Sequence, residues 1–191
     1  MRYTIFDTPV LSRVVRRLAV GYLRLAGWTM EGKIPDTPKW VMIAAPHTSN
    51  WDFSVMLSVA FAFEIKLSWM GKNTLFKWPF GSFFRYLGGI PVNRSRSENA
   101  VRRMVQLFDE VEALVLGIPP EGTRRKVRTW KTGFYHIAHG ANVPIALGFI
   151  DYERKASGVG PIIQPTGDID IDMKEIHAFY ATVKGKHPSN Q

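Results

Sequence analysis

Residues 40–52 read Trp40-Val41-Met42-Ile43-Ala44-Ala45-Pro46-His47-Thr48-Ser49-Asn50-Trp51-Asp52. The apolar run from Trp40 to Ala45, closed by Pro38 on one side and Pro46 on the other, is short and unbroken, the pattern of a strand buried on both faces. Pro46 ends it, and Asn50 stands where it can cap a helix from about Trp51 to Glu64. His47 therefore lies where a buried strand gives way to a helix, which in open α/β sheets is where ligands bind.

The same alternation continues in both directions. Upstream, Val10, Leu11, Val14, Val15, Leu18, Tyr22 and Leu25 recur at three- and four-residue intervals, predicting an amphipathic helix over residues 9–28, capped by Asp7 or Thr8 with Pro9 at its first position. Downstream, strands are expected at Lys66–Met70, Gly88–Val92, Ala113–Ile118, Val143–Ile150 and near Ile162–Ile163. Helices are expected at Trp78–Leu87, Ser97–Glu112, Thr132–His139 and Met173–Val183. Strands alternating with helices call for an α/β fold, a largely buried central sheet flanked by helices. At 191 residues the chain has room for one core, so residues 1–191 are read as a single domain whose motif-bearing part is 40–150.

With 46% apolar and 21% charged residues and no cysteine, the chain is globular and has no disulfide, thiolate nucleophile or cysteine-based metal site. His136 and His139 lack a third ligand at metal spacing, so no metal is expected. The formal charge of +9 calls for an anionic partner. Its cations punctuate the apolar N-terminal segment (Arg13, Arg16, Arg17, Arg24) and crowd one loop (Arg124, Arg125, Lys126, Arg128, Lys131), which favours an anionic membrane surface or a phosphorylated substrate over nucleic acid. The arginines interrupt residues 9–28 too often for a spanning helix, and no signal peptide is visible. The expectation is a peripheral protein on the cytoplasmic face of a membrane.

Two segments carry chemistry. A turn at Thr48-Ser49 can fold the His47 imidazole back over the first helical turn to meet Asp52. The carboxylate would fix the tautomer through one ring nitrogen and leave the other to take a proton, as in a general base; the structural alternative is a plain histidine with an acid at a helix start. Pro120-Glu121-Gly122-Thr123-Arg124 leaves a buried strand with a carboxylate, a hydroxyl and a guanidinium able to grip a phosphate through two donors. Arg94, closing Gly88-Gly89-Ile90-Pro91-Val92-Asn93-Arg94, is a second candidate anion contact. Between these segments Phe61, Phe63, Trp69, Trp78, Phe80, Phe83 and Phe84 concentrate, most expected in the core and a minority along an acyl tunnel or at a membrane interface.

Taken in order, His47-x-x-x-x-Asp52, the block ending at Arg94, Pro120 to Arg124, and Val143-Pro144-Ile145 resemble the motifs of the glycerophospholipid acyltransferases of the lysophosphatidic-acid acyltransferase type. They span roughly Trp40 to Phe149, over half the chain. The resemblance implies direct transfer of a fatty acyl group from an acyl-CoA or acyl-carrier-protein thioester to a lysophospholipid hydroxyl, most simply 1-acyl-glycerol-3-phosphate, with no other cofactor. It implies His47 as the base and Asp52 as its orienting acid, with Arg94, Glu121, Gly122, Thr123 and Arg124, and more loosely Lys131, binding the acceptor. The chain departs from the pattern at Pro46, Pro119 and Arg125; the last bears on the acceptor head group. Rival readings are a lysolipid acceptor with an amino-acid or sugar head group, and a non-enzymatic basic module binding membrane or nucleic acid.

Overall fold

Strands and helices alternate along the chain: α1 (Pro9–Leu25), β1 (Thr29–Gly32), β2 (Lys39–Ala45), α2 (Trp51–Ala62), β3 (Leu67–Lys72), α3 (Gly81–Tyr86), β4 (Gly89–Val92), α4 (Ser97–Glu110), β5 (Leu114–Ile118), α5 (Gly133–Gly140), β6 (Ile145–Asp151), β7 (Ala156–Ile163) and α6 (Ile169–Tyr180). The computed structural model describes residues 3–93 and 97–191. Among them the strands form one seven-stranded sheet in the order β1-β7-β6-β2-β5-β3-β4. Strands β6, β2, β5, β3 and β4 run parallel, β7 is antiparallel to β6, and β1 is parallel to β7. The parallel strands thus all end at one edge of the sheet, and the loops that leave them gather there.

The central strand is buried on both sides, as its unbroken apolar run requires. Val41, Ile43 and Ala45 join a core with Met104, Phe108, Phe134 and Ile137 beneath α4, α5 and α6. Trp40 and Met42 face the other way, against Ala60 of α2 and Val159 of β7. Each fully buried aliphatic side chain contributes roughly 1.5–3 kcal/mol, so β2 fastens both layers to the sheet.

Several boundaries differ from the sequence expectation for identifiable reasons. The N-terminal helix stops at Leu25, not Trp28, because Gly27 takes a positive φ of 75°. The last helix begins at Ile169, four residues before Met173, because Asp168 caps it by accepting from the N–H groups of Asp170 and Ile171. At α2 the side chain of Asn50 makes no capping bond; Ser49 Oγ accepts the Trp51 N–H at 3.2 Å. The helix expected over Trp78–Leu87 is shorter than that, a turn over residues 78–80 followed by the six-residue α3, and a 3-10 turn over Asn73–Phe76 precedes it. Strand β1 was not expected at all. Its pairing depends on glycine, since a Cβ on Gly158 would lie 1.9 Å from the Glu31 carbonyl oxygen. It is a four-residue edge strand with every residue exposed, and the opposite edge, β4, carries Pro91, which has no N–H to offer.

Helix α1 docks on α2 by one face, burying Ala19 and Leu23, while Val10, Val14, Leu18 and Leu25 remain exposed. Among the described residues, no helix is long and apolar enough to cross a membrane.

Candidate active site

His47 and Asp52 meet as the turn between them predicts. Leaving β2 through the cis Ala45–Pro46 peptide, the chain turns at Thr48-Ser49 before entering α2. Nδ1 of His47 lies 3.1 Å from Asp52 Oδ2, and the same oxygen accepts the N–H groups of Thr48 and Ser49, each at 2.8 Å. Asp52 is 3% exposed. Burial pushes its carboxyl upward, but the bonds from His47, from the Ser49 N–H and from the Tyr152 hydroxyl outweigh it and hold Asp52 below the ordinary carboxylate value. An ionised Asp52 can only accept, so Nδ1 carries the proton and Nε2 keeps its lone pair. That is the tautomer a base requires.

Strand β5 lies beside β2, and its exit loop reaches the same place. Oε1 of Glu121 accepts the His47 N–H at 3.0 Å, fixing the histidine backbone from behind. Its other oxygen, Oε2, is buried and has no hydrogen-bond partner among the described residues. Burial, with the nearby Asp52 charge adding to it, raises the Glu121 carboxyl above its usual value against the pull of the His47 N–H. Gly122 follows with a φ of 64°, and the Lys131 ammonium packs so closely that a Cβ at Gly122 would lie 3.2 Å from it. Thr123, Arg124 and Lys131 are exposed.

The two segments share one cavity of about 620 Å³, lined in part by His47, Asp52, Gly122, Thr123 and Arg124. Its remaining wall is largely apolar, with Met42, Met56, Val59, Ile65, Trp69 and Val159 between the sheet and α2. The structure therefore brings His47, Asp52, Gly122, Thr123 and Arg124 together. Glu121 stands behind His47, outside the cavity wall, and Lys131 flanks the loop without lining it. Arg94 lies outside the described residues. Of the aromatic group, Phe61 and Trp69 are buried, whereas Trp78, Phe80 and Phe83 are exposed. Among the described residues, no group of three or more histidine and acidic side chains is placed to hold a metal ion.

One contributor escaped the sequence reading. Tyr152, just past the end of β6, donates its hydroxyl to Asp52 Oδ1 at 2.8 Å, and burial followed by this bond drives its own pKa far above the phenol value. The C-terminal segment backs the turn as well. His187 N–H donates to Thr48 Oγ1 at 3.2 Å, and the Lys186 ammonium sits 5.0 Å from the Trp51 ring centre. The sequence signal was only that Tyr152 follows a buried strand, since its closeness to Asp52 depends on β6 pairing with β2.

A family model described as Acyltransferase matches residues 29–146. Among solved structures, the chain is similar to the crystal structure of the 1-acyl-sn-glycerophosphate (LPA) acyltransferase PlsC from Thermotoga maritima. The TM-score is 0.62 at 19% identity, over 88% of this chain and 76% of that one. At that identity the likeness is one of fold. A search of curated proteins gave no match. The family model covers more than half of the chain, including the His47 turn, the Glu121 loop and the strands between them, so this protein belongs to the Acyltransferase family and is an enzyme, not a non-enzymatic basic module.

Proposed function

We propose that the protein moves a fatty acyl group from an acyl-CoA or acyl-carrier-protein thioester to the hydroxyl of a lysophospholipid at an anionic membrane surface, with 1-acyl-glycerol-3-phosphate as the acceptor that fits best. The observation that carries this is the His47–Asp52 pair in a largely apolar cavity that Arg124 also lines. The apolar wall suits a fatty chain, the histidine suits a hydroxyl, and the guanidinium suits a phosphate.

In this reading Nε2 of His47 takes the acceptor proton as the hydroxyl oxygen attacks the thioester carbonyl carbon. Asp52 stabilises the imidazolium through Nδ1. The tetrahedral intermediate then collapses, the carbon–sulfur bond breaks, and the imidazolium returns the proton to the departing thiolate. A hydroxyl is a poor nucleophile at neutral pH, and a positioned base of this kind contributes about 10²–10⁴-fold. Glu121 and Tyr152 act on the pair from behind, one through the His47 backbone and the other through Asp52. Arg124, with Arg94 as its sequence-level partner, holds the acceptor phosphate, and Thr123 and Lys131 add donors at the loop. The Thermotoga protein of like fold is a 1-acyl-sn-glycerophosphate acyltransferase, which agrees with this choice of acceptor.

Thiol release from acyl-CoA, or from acyl-carrier protein, on addition of lysophosphatidic acid tests the reading. Release that depends on the acceptor and disappears in His47→Ala is the expected result. Equal release with and without acceptor would leave only a thioesterase and sink the proposal.

A further inference from the structure

The chain between β3 and β4 exposes three large aromatic side chains. Trp78 is 93% exposed, Phe80 65% and Phe83 56%. Beneath them the same stretch is tightly braced. Phe76 and Phe84 pack on the buried Trp69 with ring centres 5.7 and 6.2 Å away, and Arg85 donates to the Phe76 carbonyl at 3.1 Å. Gly81 is pressed so closely on this turn that a Cβ there would lie 2.1 Å from the Phe76 carbonyl oxygen. The outward rings are thus held by a fixed base, and an exposed apolar cluster on a fixed base marks a contact surface.

What it contacts follows from its surroundings. Thr74, Leu75 and Phe84 line the cavity that holds His47, so the stretch that carries the exposed rings also forms part of the cavity wall. Lys72 and Lys77 flank them and are exposed. Thr8 at the start of α1 is joined to Tyr86 at the end of α3 by a 2.8 Å hydroxyl–hydroxyl bond, which ties the stretch to the helix whose exposed side carries Val10, Leu18 and Leu25. An indole with phenyl rings beside it and lysines around it suits the boundary between headgroups and acyl chains, where the rings enter the apolar layer and the ammonium groups meet anionic headgroups.

We propose that Trp78, Phe80 and Phe83 form a membrane-inserting lip that seats the cavity mouth on an anionic lipid bilayer, so that a lipid acceptor enters from the bilayer without crossing water. The inference rests on the lipid-acceptor reading above and adds where the bilayer meets the protein. It also assigns α1 the part of a flanking contact, with the lip at the entrance itself.

The test is sedimentation with vesicles of phosphatidylcholine and phosphatidylglycerol, comparing the protein with its Trp78→Ser/Phe80→Ser/Phe83→Ser variant. Removing three rings from the apolar layer is expected to lower the partition coefficient by roughly 10–100-fold. The rings lie outside the cavity wall, so turnover of a short-chain lysophospholipid kept below its micelle concentration should be unchanged. A second measurement uses the wild-type backbone: brominated lipids should quench the protein's fluorescence, and most of that quenching should vanish in Trp78→Phe. Equal sedimentation of the two proteins, or undiminished quenching in Trp78→Phe, would overturn the lip. So would a concentration-dependent dimer abolished by the triple variant, which would assign the surface to a second copy. Vesicle binding is read without turnover, so these results decide the lip whether or not the acceptor is the one proposed.

Discussion

The turn at His47–Asp52 and the loop at Gly122–Lys131 face one cavity from neighbouring strands and are built in opposite ways. In the first, both carboxylate oxygens are committed: Asp52 Oδ2 receives two backbone N–H groups and the imidazole, and Oδ1 receives Tyr152. In the second, Arg124, Arg125, Lys126, Arg128 and Lys131 are exposed, and among the described residues none is in an ion pair. The difference follows from what each must do. A base has to meet a proton at one distance and angle, so its geometry is fixed in advance. A site for a charged ligand gains nothing from carboxylates that would first have to be displaced.

Breaking the committed side should therefore have the largest effect. His47→Ala is expected to lower turnover at least ~100-fold with the fold intact, as for loss of a general base. Asp52→Asn should be severely impaired too, because the amide cannot stabilise imidazolium. Steady-state kinetics with circular dichroism checks both, and near wild-type turnover in His47→Ala would remove the base from the mechanism.

The cationic loop should show its effect in affinity. Arg124→Ala is expected to reduce kcat/KM for lysophosphatidic acid by ~10–100-fold, the loss of a charge-assisted bond, with little change for a phosphate-free monoacylglycerol. Arg124→Lys should recover only part, since a point charge lacks the planar fork. Equal losses on both acceptors would mean that the loop is as structural as the turn.

Two smaller effects sharpen the contrast through pH. Asp52 is held below its ordinary value in the folded state, so its contribution to stability is present above the unfolded pKa and lost as pH falls through the folded one. Tyr152→Phe removes one of the donors that lower it, so acid unfolding should begin at a higher pH, with a stability loss of ~1–3 kcal/mol at neutral pH for a bond to a charged group. Acid titration followed by circular dichroism reads this, and an unmoved midpoint would contradict it. Glu121 has the opposite sign. Its pKa is raised, so its contribution is full below the unfolded value and lost as pH rises through the folded one. Glu121→Gln still accepts the His47 N–H but cannot ionise, so its melting temperature should gain on wild type as pH rises above the ordinary carboxylate value. Parallel curves for the two proteins would show that Glu121 does not titrate there.

How much of this was legible in the sequence depended on distance along the chain. His47 and Asp52 are five residues apart and their contact needs only a turn, so the spacing disclosed it. The strand Trp40–Ala45 was equally plain, because burial on both faces leaves an unbroken apolar run. Tyr152 reaches Asp52 across a hundred positions, and only the β2–β6 register, Ala45 opposite Phe149, brings it there. The sequence marks Glu121, but as an acceptor-binding group; that it instead braces His47 was hidden because the backbone N–H it accepts belongs to a residue beyond another strand. Thr29–Gly32 gave no signal, having neither a buried face nor alternation.

That silent strand has a consequence for the protein in company. An open sheet has two edges, and at high local concentration an unguarded edge recruits the edge of another molecule. On one side β1 offers four residues with Glu31 among them, and on the other β4 presents Pro91. Neither edge gives a long, regular row of donors and acceptors for a neighbour to copy. Molecules crowded onto a surface would therefore stay separate, and the sheet would not become a template for aggregation.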